Sequence, residues 1–234
     1  MNCNVCKSPW GQCLCRWDQI VDKETRENEF PFRHRVKLVV LGHYEDINAG
    51  FRESVEQWEL GLAKILIRDG RRIPEEIPGW TVIDGPQPFS YSRNVNLGWT
   101  VTGNADVILC GDDIRFDGPF VKTLQEAVYS DPTVGVSTVQ LHGNSPFVCG
   151  YWKRSVLDAV GKMDENFTGY GYDDNDFCRR MELAGFHTLP VEIPCQHGGA
   201  ATFFRRQAEG GTNVQESCDR NRALFNKKWG TDLK

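Results

Sequence analysis

The sequence predicts an α/β fold in which helices flank a mostly parallel central sheet. Two observations predict it: from position 35 onward short β-branched, apolar runs recur, and the segments between them carry apolar residues at helical spacing. Repeated strand–helix–strand succession is typical of a parallel sheet covered on both faces. A chain of 234 residues is long enough for one such domain and a small appendage.

Each element is predicted from its local pattern. Four buried strands are predicted, over residues 36–41, 63–68, 80–83 and 105–110. Three helices are predicted between and after these strands. The first has an apolar face of Phe51, Val55, Trp58 and Leu62, and the second runs from Ser92 to Thr102. The third begins at Pro119 and has an apolar face of Val121, Leu124 and Val128. Parallel sheets bind ligands outside the carboxyl ends of their strands, and Asp69 and Asp113 follow two of these ends.

Charge and hydropathy exclude some classes of partner. The net charge of −5 argues against nonspecific binding to nucleic acid or to anionic membranes. No apolar run approaches the roughly 20 residues that span a bilayer. The start of the chain, at residues 1–4, lacks the pattern of a signal peptide. We therefore expect no membrane span and a cytoplasmic location.

The amino-terminal segment is rich in cysteine. Cys3, Cys6, Cys13 and Cys15 form two close pairs, which can wrap one tetrahedral Zn²⁺. Free or redox-active thiols are the alternative, because the second pair is tighter than the usual spacing. We assign residues 1–34 to a four-cysteine zinc-binding segment with a linker arm. Four thiolates leave no open position, so this zinc would be structural. The remaining cysteines are interpreted as small buried apolar residues: Cys110, Cys149, Cys178, Cys195 and Cys218.

Two carboxylates follow the fourth predicted strand. Asp112 and Asp113 would lie at the mouth of the sheet, where oxygen ligands suit Mn²⁺ or Mg²⁺. Such a cation can neutralise a departing nucleoside diphosphate. The alternative is a solvated turn that is rich in Asp. His197 joins this constellation only if it reaches the same cation as Asp113; a lone histidine is more often structural.

A second acidic cluster opens a predicted helix. Asp173, Asp174 and Asp176 precede an apolar stripe of Phe177, Met181 and Ala184, and Gly185 supplies the stop of the helix. The helix dipole favours ionised carboxylates at this end, and an ionised carboxylate near a sugar hydroxyl can act as a general base. Helix capping is the alternative interpretation, although capping requires one Asp only.

These motifs together resemble family 2 glycosyltransferases over roughly residues 36–230. The segments that resemble the donor half of that family are 89–94, Gly98, 105–109 and Asp112-Asp113. Those that resemble its acceptor half are 160–167, 169–171 and 173–180. The resemblance implies the GT-A (nucleotide-diphospho-sugar transferase) fold over residues 35–234, with a donor half of about 35–118 and an acceptor half of about 119–234. It also implies an inverting hexosyltransferase-like enzyme with Mn²⁺ or Mg²⁺ and a nucleotide-sugar donor, first of all a UDP-sugar.

On the donor side, the resemblance assigns roles to individual residues. Asp69 matches the position that binds the nucleobase or its ribose, and Arg93 and Asn94 match a pair that borders the nucleotide. Asp113 matches the metal-ligating end of the DXD motif, and Asp112 its middle position. Gly111 stands where the family often has Asp, so donor contacts rest more heavily on Asp112 and Asp113. The residues after the first strand also depart from the family pattern, so the resemblance does not identify the nucleobase of the donor.

On the acceptor side, the resemblance makes Asp174 the catalytic base. Asp173 replaces the usual Glu and would bind an acceptor hydroxyl, and His197 matches a histidine that completes the metal site in several members. Aromatic residues of the same half could stack on a sugar or a base, although core packing explains each of them equally well: Phe147, Tyr151 and Trp152.

Two alternatives belong to other functional classes. A sugar nucleotidyltransferase is disfavoured because no Gly-rich, Lys-containing phosphate loop follows the first strand. A noncatalytic zinc-knuckle protein that binds nucleic acid or sugar is disfavoured by the intact set of carboxylates. The acceptor stays open between a glycan, a protein and a hydroxymethylated DNA base. Basic residues of the tail could follow a phosphate backbone, but a solvated helix face explains them better: Arg205, Arg206, Arg220, Arg222, Lys227 and Lys228.

Overall fold

The computed structural model describes residues 36–70, 72–141, 145–199, 201–210 and 213–230. The described strands are β1 Val36–Gly42, β2 Ala63–Arg68, β3 Trp80–Asp84, β4 Asp106–Gly111, β5 Ile114–Phe116, β6 Val134–Val139, β7 Cys149–Trp152, β8 His187–Val191 and β9 Cys195–His197. The described helices are α1 Glu45–Trp58, α2 Tyr91–Val101, α3 Val121–Val128, α4 Arg154–Val160, α5 Asp173–Leu183, α6 Ala201–Ala208 and α7 Val214–Trp229.

The central sheet has seven strands in the order β3-β2-β1-β4-β7-β6-β8. β1 pairs in parallel with β2 and β4, and β2 pairs in parallel with β3. β7 runs antiparallel to both of its neighbours, whereas β6 and β8 are parallel. The predicted α/β architecture with a mostly parallel sheet is therefore confirmed. A small second sheet pairs β5 with β9 in antiparallel register.

Apolar side chains cover both faces of the central sheet. In β1, Leu38 and Val40 point into one core together with Phe51 of α1 and Leu124 of α3. Val39 points to the other core, so the run from Leu38 to Val40 is apolar because this part of β1 is buried on both faces. The second core also contains residues from three helices: Val95 and Trp99 of α2, Val156 and Leu157 of α4, and Phe177 and Met181 of α5.

The four predicted strands match the structure to within one residue at each end. Three details of the helices differ. α1 ends at Trp58, so Leu62 lies outside it, in the connection to β2. α3 begins at Val121 with Phe120 as its N-cap, so Pro119 precedes the helix instead of opening it. Ala184 is exposed beyond the end of α5, and Gly185 follows with a φ of +86°, as expected for a stop signal.

α2 packs directly on β1 because Gly98 has no side chain. A Cβ atom at this position would lie 2.5 Å from Cγ1 of Val39, which is closer than van der Waals contact allows. This close approach fixes the height of α2 above the sheet, and the first turn of α2 therefore stands beside the carboxyl ends of the strands.

Across the described ranges, we find no helix with the length and apolar character needed to cross a membrane. The amino-terminal cysteines Cys3, Cys6, Cys13 and Cys15 lie outside the described residues, as does the predicted linker arm. Of the other five cysteines, all free thiols, Cys110 and Cys149 are buried, whereas Cys178, Cys195 and Cys218 are partly exposed. The interpretation as buried apolar residues thus holds for two of the five.

Candidate functional site

A cavity of about 240 Å³ opens at the carboxyl ends of β1, β2 and β4. This is the edge at which a parallel sheet binds its ligands. Polar side chains and aromatic rings share the lining. Its residues are Leu41, Gly42, His43, Asp69, Phe89, Tyr91, Asn94, Cys110, Gly111, Asp112, Asp113, Phe147, Val148, Tyr170 and His197.

Asp69 lies at the end of β2, where the sequence predicted a donor-binding carboxylate. Its Oδ1 accepts a hydrogen bond from Nε2 of Gln87 at 2.9 Å. His43, which follows β1, donates from Nδ1 to the backbone carbonyl of Asp69, and the same nitrogen lies 3.3 Å from Oδ2. The carboxylate is thus held between the β1–α1 and β3–α2 connections, at the rim of the cavity.

The pair Arg93-Asn94 occupies the first turn of α2, which begins after the N-cap Ser90. The side chain of Asn94 lines the cavity and is fully buried. Within the described part of the chain, neither its Oδ1 nor its Nδ2 has a hydrogen-bond partner. An unpaired buried amide is costly, so this one is well suited to pair with a bound ligand. Arg93 is partly exposed and is absent from the cavity lining.

The small β5–β9 sheet brings Asp113 and His197 together. The backbone N–H of Gly198 donates to the carbonyl oxygen of Asp113 at 2.7 Å, beside the register pair Ile114 and His197. Nε2 of His197 then lies 3.5 Å from Oδ1 of Asp113, and both residues line the cavity. Asp112 is buried at the same strand end and also lines the cavity.

The Asp113–His197 pair fits a divalent cation in part. Two ligand atoms about 2.1 Å from a shared octahedral ion stand about 3 Å apart, close to the observed separation. One carboxylate oxygen and one imidazole nitrogen suit Mn²⁺. Among the described residues, however, no group of three or more His, Cys, Asp or Glu side chains is placed to hold a metal ion. A cation here would need the remaining ligands from water and from the diphosphate of a donor.

Asp173 and Asp174 form the first turn of α5, close to α2. Oγ of Ser92 donates to Oδ2 of Asp173 at 3.4 Å, and the backbone N–H of Asn175 donates to Oδ1 of Asp174 at 2.9 Å. Burial, followed by the negative charge of Asp174, raises the pKa of Asp173 to about 7. Burial also raises the pKa of Asp174. Neither carboxylate is among the residues that line the cavity.

Burial opposes the effect that the sequence expected of the helix dipole at Asp173 and Asp174. Asp173 is buried and Asp174 is partly exposed, and in both cases loss of hydration is the main cause of the raised pKa. Capping does not explain the cluster either: the N-cap is Tyr172, whose φ of +67° places it in the left-handed region. The third carboxylate, Asp176, is structural, because it accepts hydrogen bonds from Arg180 and Trp229 and pairs with Lys228.

The aromatic residues divide between the cavity and the core. Phe147 lines the cavity and also packs in the second core against Trp152, and Tyr151 and Trp152 are fully buried in the sheet. The sequence did not assign site roles to Phe89 and Tyr170, whose ring centroids lie 5.7 Å apart on the cavity wall. Both residues belong to the stretches that carry the family resemblance, and this position in the motifs was the only signal available.

Basic residues of the tail mostly contact the protein itself. Arg205 pairs with Asp46, and Arg222 donates to the hydroxyl of Tyr172 at 2.7 Å. Arg220 donates to the carbonyl of Thr168. Lys228 contacts Asp164 and Asp176. These four basic residues and Lys227 are all exposed. Most of these cations therefore lie at the surface and bond to neighbouring groups of the protein.

Comparison with known proteins identifies the fold alone. No family model matches the sequence, and no curated protein matches it. GalNAc-T7, solved with UDP, GalNAc and Mn²⁺, has a TM-score of 0.64 at 10% identity, covering 83% of this chain and 48% of that chain. The mannosyltransferase PcManGT from Pyrobaculum calidifontis, solved with GDP-Man and Mn²⁺, has a TM-score of 0.57 at 14% identity, covering 84% of this chain and 70% of that chain.

A third structure agrees. Glucosyl-3-phosphoglycerate synthase from Mycobacterium tuberculosis, solved with Mn²⁺ and UDP-glucose, has a TM-score of 0.56 at 13% identity and covers 80% of both chains. The chain described here therefore has the GT-A fold.

Proposed function

We propose that this chain is a metal-dependent, inverting glycosyltransferase that moves a hexosyl group from a nucleotide-sugar donor to an acceptor hydroxyl. The observation that carries the proposal is the convergence of Asp69, Asn94 and the Asp113–His197 pair on one cavity at the carboxyl edge of the sheet. Solved proteins of the same fold hold GDP-mannose or UDP-glucose together with Mn²⁺, which supports a nucleotide-sugar and a cation in this cavity.

In the proposed donor complex, Asp69 binds the nucleoside and Asn94 pairs with the nucleotide through its buried amide. Arg93 and Asp112 complete the donor contacts. Asp113 and His197 would hold Mn²⁺ or Mg²⁺, which would supply positive charge to stabilise the nucleoside diphosphate leaving group. A UDP-sugar is the first donor to test.

In the proposed reaction, Asp174 takes the proton of the acceptor hydroxyl while its oxygen forms a bond to the anomeric carbon. The bond from that carbon to the diphosphate breaks in the same displacement, and the nucleoside diphosphate carries away the electron pair. Burial raises the pKa of Asp174, which makes its ionised form a stronger base. Asp173 would orient the acceptor hydroxyl beside it.

The proposal is tested by incubating the full chain with UDP-, GDP- and dTDP-sugars and Mn²⁺, and by measuring released nucleoside diphosphate. We expect slow hydrolysis of one donor, lost in Asp113→Ala. Asp117→Ala is the matched control, because Asp117 is exposed just beyond β5. Release of pyrophosphate instead would indicate a sugar nucleotidyltransferase. Absence of both turnover and binding for every donor would overturn the enzyme assignment.

The active donor can then be used to find the acceptor. Glycans and proteins come first in this panel, because most basic side chains that could follow a DNA backbone contact the protein itself. Hydroxymethylated DNA completes the panel. Transfer to any one of these classes identifies the acceptor hydroxyl.

We also propose that residues 1–34 form a separate zinc-binding segment that precedes the transferase domain. The proposal rests on the spacing of Cys3, Cys6, Cys13 and Cys15. Elemental analysis of the purified full chain would find about one zinc per molecule, and the double variant Cys3→Ser, Cys6→Ser would lose it. A wild type without zinc would indicate free thiols.

A further inference from the structure

The carboxyl-terminal helix α7 packs tightly against the connection that precedes α5. We call residues 168–172 the site loop. Two of its glycines have left-handed backbone conformations, with φ of +78° at Gly169 and +90° at Gly171. A Cβ atom at Gly169 would clash with Ser217 of α7, and one at Gly171 would lie 3.1 Å from Sγ of Cys218. The absence of side chains at these positions therefore lets α7 approach the backbone of the site loop.

Asn221 of α7 donates hydrogen bonds to the backbone of the site loop. Its side chain is almost fully buried, and Nδ2 lies 3.1 Å from the carbonyl oxygen of Thr168, 3.0 Å from that of Tyr170 and 2.9 Å from that of Gly171. An amide nitrogen carries two hydrogens, so at least one of them is shared between two carbonyls. One side chain thus satisfies three backbone acceptors of the same short loop.

The site loop carries groups that the proposed reaction needs. Tyr170 lines the cavity and faces Phe89, with the ring centroids 5.7 Å apart. Tyr172, held by Phe225 and by Arg222 of α7, is the N-cap of α5 and is followed at once by Asp173 and Asp174. A shift of the loop would therefore move both the cavity wall and the carboxylates.

We propose that Asn221 is a positioning residue for the reaction: by holding three carbonyls of the site loop, it fixes Tyr170 and the Asp173–Asp174 pair relative to the cavity. This inference rests on the proposed glycosyltransferase function. The three hydrogen bonds from Asn221 hold the site loop, whereas the proposed donor residues Asp69 and Asn94 lie outside this loop on the same cavity.

The test compares wild type, Asn221→Ala and Asn221→Gln in the full chain with the nucleotide-sugar that the wild type hydrolyses fastest in Mn²⁺. We expect Asn221→Ala to lower kcat about 10-fold or more, because a small displacement of positioned groups costs rate steeply. Affinity for the corresponding nucleoside diphosphate in Mn²⁺, measured by calorimetry, should fall much less than kcat, because the proposed donor residues Asp69 and Asn94 lie outside the site loop. Asn221→Gln keeps an amide donor and should recover part of kcat; it carries the test if the alanine variant does not fold.

Lys228→Ala is the control for a general loosening of α7. Lys228 contacts Asp164 and Asp176 and does not contact the site loop carbonyls. It should lower the melting temperature while kcat stays within about twofold. An unchanged kcat in Asn221→Ala, or an equal loss of kcat and nucleoside diphosphate affinity, would overturn the inference. A wild type that hydrolyses no donor would instead overturn the proposed function, and this inference with it.

Discussion

Asn94 and Asn96 lie two positions apart on α2 and have opposite surroundings. Asn96 donates to the carbonyl of Met163 at 3.0 Å and to Glu165 at 2.8 Å, and it accepts from the backbone N–H of Met163 at 2.8 Å. Asn94 is equally buried, faces the cavity and has no partner among the described residues. One amide thus serves the fold, whereas the other is available to a ligand.

This contrast gives a matched pair of variants. We expect Asn94→Ala to weaken binding of the nucleoside diphosphate with Mn²⁺ about 10-fold while the free energy of unfolding does not fall, because no bond within the described protein is lost. Asn96→Ala should cost about 1–3 kcal/mol of stability and leave the affinity unchanged. Calorimetric titration and urea denaturation measure the two quantities. The reverse result would assign the structural role to Asn94.

Asp173 illustrates how a group of the proposed active site opposes folding. Its pKa is raised from 3.8 to about 7, so the folded state binds this proton more tightly than the unfolded state does. The resulting destabilisation is absent below about pH 4, grows as pH rises towards 7, and is complete above pH 7. A neutral side chain of the same shape would escape it.

We therefore expect Asp173→Asn to be more stable than wild type at pH 8, by about 1–4 kcal/mol, and equal to it near pH 4. Urea denaturation at pH 4, 6 and 8 measures the difference. Donor hydrolysis by the wild type should rise with pH through about 7, as the carboxylate of Asp173 ionises. A stability difference independent of pH would mean that Asp173 titrates as it does in the unfolded chain.

At the scale of the element, α2 is placed by one close contact. Gly98 faces Val39 of β1, where a Cβ atom would lie 2.5 Å from a side-chain carbon on the buried strand. Because protein cores are closely packed, α2 would have to move away from the sheet to admit a methyl group. Asn94 lies one turn earlier on the same helix and would move with it.

Gly98→Ala should thus lower stability by about 1–3 kcal/mol, despite the higher helix propensity of alanine. Gly61→Ala is the control, because a Cβ atom there has nothing within 4 Å and the backbone conformation is ordinary. The free energy of unfolding of Gly61→Ala should therefore equal that of the wild type. Denaturant unfolding compares the two. Equal stability of both variants would show that α2 tolerates the displacement.

Local patterns predicted the strands well and the contacts between distant segments poorly. The buried runs of β1, β2 and β4 were recognisable because apolar, β-branched residues leave few alternatives. These runs placed Asp69 and Asp113 at the carboxyl edge of the sheet, where both residues line the cavity. The three bonds from Asn221 to the site loop span about 50 residues, and no local pattern encodes them. The raised pKa of Asp173 likewise depends on burial by the tertiary fold.

At the scale of the whole molecule, the cavity gathers residues from widely separated parts of the chain. Asp69 follows β2 and Asn94 lies on α2, both in the part of the chain that forms the parallel strands. His197 lies on β9, more than eighty residues after its partner Asp113. β5 and β9 are three residues long each and join the two halves beside the cavity. The proposed metal site therefore forms only when both halves of the domain are folded together.

The metal dependence of activity tests the proposed metal site at Asp113 and His197. Chelation with EDTA should abolish donor hydrolysis, and Mn²⁺ should restore it. His197→Ala should raise the Mn²⁺ concentration needed for half-maximal activity about 10-fold or more, since it removes one of the two proposed protein ligands. His187→Ala is the control, because His187 is exposed on β8. If His197→Ala keeps the Mn²⁺ requirement of the wild type, the imidazole is not a ligand, and Asp113 must hold the cation with Asp112 and the diphosphate alone.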